Sequence, residues 1–262
     1  MRSPIVTLLT DFGSKDHFAG ILKGVILNIN PSVEIVDISH NITPYNITEG
    51  AIILNQAFSY FPKGTIHIAV IDPGVGTDRK PILVVDKNYF FIGPDNGIFG
   101  LVYNRLKEFN VFKITNHLFF LKSISATFHG RDIFAPVAAH LSTGVPPSEM
   151  GPEITNYKSL SIPLPSIKSK NINGNIIYID GFGNLVTNIH RRCIQKIKKE
   201  SSLKIKIGGK IITKVSPNYQ SVSRGNLLAL IGSSEMVEIA VREGNACKML
   251  GAKEGDDVLI CK

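Results

Sequence analysis

The 262-residue sequence predicts an α/β protein joined to a smaller all-β part, and three observations carry that prediction. Apolar runs such as PIVTLLT, VEIVDIS, GTIHIAVID, PILVVD and YFFIG alternate with stretches of helical spacing in the first 160 residues. That alternation is the pattern of helices layered on a largely parallel or mixed sheet. After about residue 172 the helical period disappears, and short strands broken by Gly or Ser turns take over, as in a small barrel or sandwich. Between the two lies SLSIPLPSIKSKNINGN, with two prolines, a lysine cluster and no helical period. The expected organisation is therefore an N-terminal α/β domain over 1–160, a linker over 161–171 and a C-terminal all-β domain over 172–262.

Each element has a local reason. The first strand ends at Thr10–Asp11, and AGILKGVILNIN follows with Ile21, Leu22, Val25, Ile26 and Ile29 at helical spacing until Asn30-Pro31 stops it. VEIVDIS (33–39) is the second strand. NITEGAIILNQAFSYF opens on an Asn46…Glu49 pair resembling a capping box and continues as a helix. PDNG (94–97) marks a tight loop corner. GRDIFAPVAAHLS is a further helix in which Pro136 is tolerated only in the first turn. Downstream, NIIYIDGFGNLVTNI, LKIKIGG, KIITKVS, NLLALIG, MVEIAV and DVLICK supply the short strands.

Composition narrows the function. At 44% hydrophobic and 19% charged the chain is ordinary globular material, and no apolar run approaches the roughly 20 residues a membrane span needs. PIVTLL is too short for a signal-peptide core, so a cytoplasmic location is expected. Cys193, Cys247 and Cys261 form neither a zinc spacing nor a disulfide framework. The Asn41 and Asn46 sequons are read as chance matches. The formal charge of +8 concentrates in lysine-rich stretches such as RRCIQKIKKE, with few aromatics interleaved, and reads as solvated faces rather than a nucleic-acid surface.

The chemistry lies in three loops, TDFGSKD (10–16), IDPGVGTDR (71–79) and TFHGRD (127–132), each following an apolar run. Ligands of open α/β sheets bind beyond the carboxyl ends of the strands, where such loops fall. No phosphate-binding G-x-x-x-x-G-K-[ST] run exists, and DPGVGTDRKP runs into proline instead of opening a helix as a dinucleotide fingerprint would. Asp11, Asp16 and Asp72 would repel phosphate. They suit a ligand whose hydroxyls donate hydrogen bonds and which carries positive charge.

The ordered set TDFG…D, VDISH, VIDPGVGT-R, PDNG, TFHGRDIFAP, YIDGFGNLVTNI and a late GNA resembles the S-adenosyl-L-methionine hydroxide adenosyltransferase family, related to the fluorinating and chlorinating enzymes. The resemblance spans nearly the whole chain. It implies an N-terminal α/β domain, a C-terminal β-barrel, and a homotrimer with each site at a subunit interface. The implied reaction converts S-adenosyl-L-methionine and water into adenosine and L-methionine, with that compound as substrate and no cofactor, metal, nucleic acid or membrane.

Carried over residue by residue, Asp72, Arg79 and His129 resemble the set that activates water. His129 can accept a proton near neutral pH, and which of the three takes it first is open. Asp11 is similar to the aspartate that binds both ribose hydroxyls. Asp16 and Asp180 resemble the carboxylates on the methionine ammonium, with Ser233 near its carboxylate. Asn184 and the Ala246 backbone resemble adenine contacts, and Tyr45, Phe128 and Phe182 its aromatic walls. The PDNG and GRD residues are expected to shape the site, and His17, His40, His67, His117, His140 and His190 to be structural.

Halide-using relatives lack histidine at the place of His129, and fluorinating ones have a hydroxyl where Gly130 stands. They carry tryptophan in place of Tyr45 and can carry arginine in place of Ser234. Water is therefore the expected nucleophile. A halide-using enzyme and a non-catalytic binding protein for adenosine or S-adenosyl-L-methionine are the alternatives.

Overall fold

The computed structural model describes residues 3–169, 171–197 and 203–261, which divide into two compact units between Ser161 and Ile162. Lys170, 198–200 of the basic run and Lys262 of the last predicted strand lie outside the described residues.

The N-terminal unit comprises β1 (Ile5–Thr10), α1 (Phe18–Ile29), β2 (Glu34–Ser39), α2 (Ile47–Ala57), β3 (Ile66–Val70), β4 (Pro81–Val85), β5 (Phe90–Pro94), α3 (Gly100–Tyr103), β6 (Asn110–Lys113) and α4 (Ala135–Ser142). Its sheet runs β2-β1-β3-β5-β4-β6. The first four strands are parallel, and β4 is antiparallel to both β5 and β6. The reversal follows from a tight turn: Asp86 Oδ1 accepts from the Asn88 and Tyr89 amides, folding β4 directly onto β5.

Helices cover both faces, so β1 and β3 are buried nearly throughout. Alternation assigns their side chains. Val6, Leu8, Ile66 and Ile68 join Leu22, Ile26 and Phe134 in one core, while Leu9 and Ala69 join Leu54, Phe58 and Phe91 in the other. Each large side chain so buried stabilises the fold by roughly 1.5–3 kcal/mol. One pair of the parallel register is polar: Thr7 faces His67, and its hydroxyl lies 2.8 Å from His67 Nδ1. Phe58, Phe61, Tyr89 and Phe91 surround that imidazole, and burial pushes its pKa down to about 3.

The cap of α2 forms as its sequence suggests, with Asn46 accepting the Glu49 amide. The Glu49 carboxylate accepts the Thr43 amide. Pro136 lies in the first turn of α4, and the preceding Gly130–Phe134 is π-helical.

The C-terminal unit contains β7 (Ser166–Lys168), β8 (Asn171–Ile179), β9 (Leu185–His190), α5 (Arg191–Lys196), β10 (Lys204–Ile207), β11 (Lys210–Ile212), β12 (Val215–Ser216), β13 (Leu227–Ile231), β14 (Met236–Val241), α6 (Ala246–Leu250) and β15 (Asp257–Cys261). Its nine strands follow the order β11-β10-β15-β8-β9-β14-β13-β12, with β7 added to β8. The sheet curls into a nearly closed barrel around Ile172, Leu185, Ile205, Ile239 and Val258. Strand β7 lies inside the stretch read from sequence as linker. Among the described residues no helix is long and apolar enough to cross a membrane.

Candidate active site

Parallel pairing of β1 with β3 brings Thr10 beside Val70, so the loops carrying Asp11 and Asp72 leave neighbouring strands at their carboxyl ends. The Asp72 loop turns tightly: the Val75 amide donates to the Asp72 carbonyl, and the Thr77 amide and hydroxyl both donate to the Gly74 carbonyl. Gly76 then sits at φ +77°, and a Cβ there would come within 2.2 Å of the Ala126 carbonyl oxygen. Only glycine permits that approach, which brings the Asp72 loop against the segment leading to His129.

Across this contact three side chains link. Arg79 donates from Nε to both Asp72 oxygens at 3.0 Å and from Nη2 to Oδ2 at 2.6 Å. Both side chains are only 5% exposed, so this is a desolvated, fork-shaped ion pair. Arg79 Nη2 also lies 2.7 Å from His129 Nδ1. A guanidinium can only donate, so Nδ1 accepts and the proton of the neutral ring belongs on Nε2. Burial, then the neighbouring Arg79 charge, lowers the His129 pKa below its usual value. The sequence expectation of His129 as a proton acceptor thus meets a ring whose acceptor nitrogen is already engaged. Arg79 Nη1 is buried with no hydrogen-bond partner among the described residues.

The next turn fixes the ring's position. Arg131 and Asp132 both direct their amides to the Phe128 carbonyl as the chain enters the π-helical turn, a feature frequent at functional sites. Asp132 is fully buried and accepts from the Ser125 amide at 2.7 Å and from Arg131 Nε at 2.6 Å.

Asp11, Tyr45, Asp72, Phe128 and His129 line one cavity of about 330 Å³, together with Phe12, Phe18, Val75 and Thr127. Phe12, Phe18 and Phe128 pack mutually there, two of the three contacts edge-on. Asp11 Oδ2 accepts the Tyr45 amide at 2.9 Å. Tyr45 is 72% exposed and at φ +68°, an unusual backbone for a bulky residue. Burial raises the Asp11 pKa, and the Asp72 carboxylate adds to the rise. A larger hollow of about 700 Å³ lies at the opposite end of the sheet, between Val85–Asn88 and Arg105–Asn110, without a comparable linked set.

In the C-terminal unit a second cluster forms. Asp180 Oδ1 accepts the Phe182 and Asn184 amides, and Oδ2 accepts from Asn184 Nδ2, all at 2.9 Å. Gly183, at φ +82°, packs on Asn245, and its carbonyl accepts the Cys247 amide, which holds buried Ala246 beside the turn. Glu238 of β14 is buried, accepts from the Tyr219 hydroxyl at 2.5 Å, and has its pKa raised by burial and by the nearby Asp180 charge.

Residues 6–151 match the model of the SAM hydroxide adenosyltransferase N-terminal domain, and residues 174–259 match that of the C-terminal domain. The chain belongs to the SAM hydroxide adenosyltransferase family. Within the family, a protein of Methanocaldococcus jannaschii is 36% identical over 98% of this chain and 95% of its own length, and one of Thermus thermophilus is 33% identical over 95% and 96%. Both are named (R)-S-adenosyl-L-methionine hydrolase. A crystal structure of an uncharacterized conserved protein from Thermotoga maritima superposes with a TM-score of 0.92 at 37% identity, covering 98% of this chain and all of that one.

The structure brings Asp11, Tyr45, Asp72, Arg79, Phe128 and His129 together, and separately Asp180, Phe182, Asn184 and Ala246. Asp16 is exposed and does not line the cavity, and Ser233 is exposed in the turn between β13 and β14. Sequence reasoning missed Phe12, Phe18 and Glu238. The signals were present: phenylalanines within and just after TDFGSKD, and a carboxylate inside the apolar strand MVEIAV.

Proposed function

We propose that this chain is an adenosine-forming S-adenosyl-L-methionine hydrolase that works by in-line attack of water on the ribose C5′ carbon. The observation that carries the reading is the linkage of the buried Asp72–Arg79 ion pair to His129 at the wall of a cavity that also holds Asp11. The water oxygen bonds to C5′, the C5′–S bond breaks with its electron pair on sulfur, and methionine leaves as a neutral thioether. Such a leaving group needs no general acid. The chain's task is to align the water and receive its proton, and a positioned base typically gives 10²–10⁴-fold, with alignment supplying much of the rest.

In this reading His129 Nε2–H and the unpartnered Arg79 Nη1 donate to the attacking oxygen, and Asp72 accepts the proton that it loses. The carboxylates of Asp11 and Asp72 favour a cationic sulfonium. Asp11 Oδ1 serves the ribose hydroxyls while Oδ2 holds Tyr45. Asp16 and Asp180 bind the ammonium, Ser233 the carboxylate, Asn184 and the Ala246 backbone the adenine, and Tyr45, Phe128 and Phe182 flank it. The working form is a homotrimer, each site completed by a neighbouring subunit. The exposure of the aromatic residues Tyr45 and Phe182, 72% and 79% accessible, supports that assembly.

Incubating the pure protein with S-adenosyl-L-methionine and chromatographing the products tests the reading. Adenosine and methionine in equal amounts are expected, from a species with the mass of three chains. A folded protein that releases neither, or one that forms 5′-halo-5′-deoxyadenosine when halide is added, contradicts it.

A further inference from the structure

We infer that His40 is a positioning residue for the Asp11 loop, setting substrate affinity without touching the reacting atoms. The inference rests on the reading of Asp11 as the ribose-hydroxyl contact. His40 follows the end of β2 and grips the loop after β1 twice. Its Nδ1 lies 2.8 Å from the hydroxyl of fully buried Thr10, and its carbonyl accepts the Gly13 amide at 2.7 Å. Asp11 stands between these two holds.

Hydrogen-bond direction gives the grip its chemistry. The Thr10 oxygen accepts the Phe12 amide at 3.3 Å, and its hydroxyl proton is available to donate to His40 Nδ1 in the ring tautomer protonated on Nε2. Nε2 lies 3.1 Å from Asp37 Oδ1, a contact whose alignment falls short of a hydrogen bond. Asp37 is in turn paired at 2.5 Å with Lys23 of α1. Lys23, Asp37, His40 and Thr10 thus form a chain from a helix surface to the backbone flanking Asp11. The Phe12 ring on the same loop lines the cavity, so the loop's conformation places both a carboxylate and an apolar wall.

The variants His40→Ala, His40→Asn and Thr10→Val separate this role from simple stabilisation. Asn offers a side-chain oxygen near the place of Nδ1, and Val removes only the Thr10 hydroxyl. Losing one such hydrogen bond corresponds to roughly a twofold to twelvefold change in an equilibrium. His40→Ala is expected to raise KM for S-adenosyl-L-methionine and the Kd of adenosine by that factor, with kcat within about threefold. His40→Asn should recover most of the affinity. Thr10→Val should reproduce the loss, and combining it with His40→Ala should add nothing.

Variants with a lowered melting temperature but unchanged KM and adenosine affinity would overturn the inference, as would a loss confined to kcat. If His40→Ala does not fold, Thr10→Val decides by the same readouts. A wild type that neither turns over nor binds adenosine overturns the functional reading and this inference together. An active wild type with unaffected variants overturns only this one.

Discussion

Two carboxylates organise this molecule, and they are held in opposite ways. Asp72 is fixed by Arg79, seven residues along the chain, and through it linked to His129, fifty residues further still. Asp180 is held entirely by its own turn, accepting from partners two and four residues away. A local turn of that kind needs only aspartate, glycine and asparagine at the right spacing. The Asp72 linkage desolvates an ion pair, and that cost is offset only while every partner is in place. The contrast teaches that the N-terminal cluster is built for geometry between side chains, whereas the C-terminal one is built to shape backbone.

The first way to break the comparison is Arg79→Lys, which keeps the charge and loses the fork. Turnover is expected to fall on the order of 10²–10³-fold, with KM within a few-fold, measured by steady-state kinetics. A lysine variant of near-normal kcat would mean that charge alone, not linkage, matters. His129→Ala should follow, with kcat down about 10²-fold and substrate affinity nearly unchanged. A large loss of binding would instead make His129 a recognition residue.

Asp180→Ala should cost about 1–3 kcal/mol of stability, since it strands two turn amides and the Asn184 side chain. Thermal melts and substrate affinity should move together, in contrast to the kcat-dominated Arg79 variant. A pH series sharpens the same distinction. Burial and Arg79 keep His129 neutral below the ordinary histidine range, so the acid limb of kcat should fall below pH 6.5. Protonation needs Nδ1 and breaks the contact with Arg79.

The smallest effect belongs to His67. Its folded pKa of about 3 lies below the unfolded value, so the unfolded chain takes up the proton first as pH falls. Stability is full above about pH 6.5 and is lost as pH falls toward 3, by about 1.4 kcal/mol at pH 5.5. Replacing Thr7 and His67 together with Val and Phe should flatten that slope in urea melts at two pH values.

Much of this arrangement was legible in the residues. Helical spacing in AGILKGVILNIN, the Asn46 cap and the Gly-punctuated strands after 172 matched the elements they suggested, because local propensity and burial agree there. The direction of β4 was less legible, since it depends on the side chain of Asp86 closing a turn. The π-helical turn before α4 has no periodicity of its own to betray it. The link from Arg79 to His129 joins loops that only tertiary packing of Gly76 on Ala126 brings together. Motif order could nominate both residues but could not show which nitrogen of His129 is occupied. Asp16, for which the resemblance implies a contact to the methionine ammonium, stands in an exposed stretch before α1.

The most direct measurement is the reaction run in ¹⁸O-labelled water with mass analysis of both products. The account predicts one ¹⁸O in the 5′-hydroxyl of adenosine and none in methionine, because water attacks C5′ and the C5′–S bond breaks. Unlabelled adenosine, or homoserine with methylthioadenosine in its place, would contradict attack at C5′ and with it the role given to Asp72, Arg79 and His129.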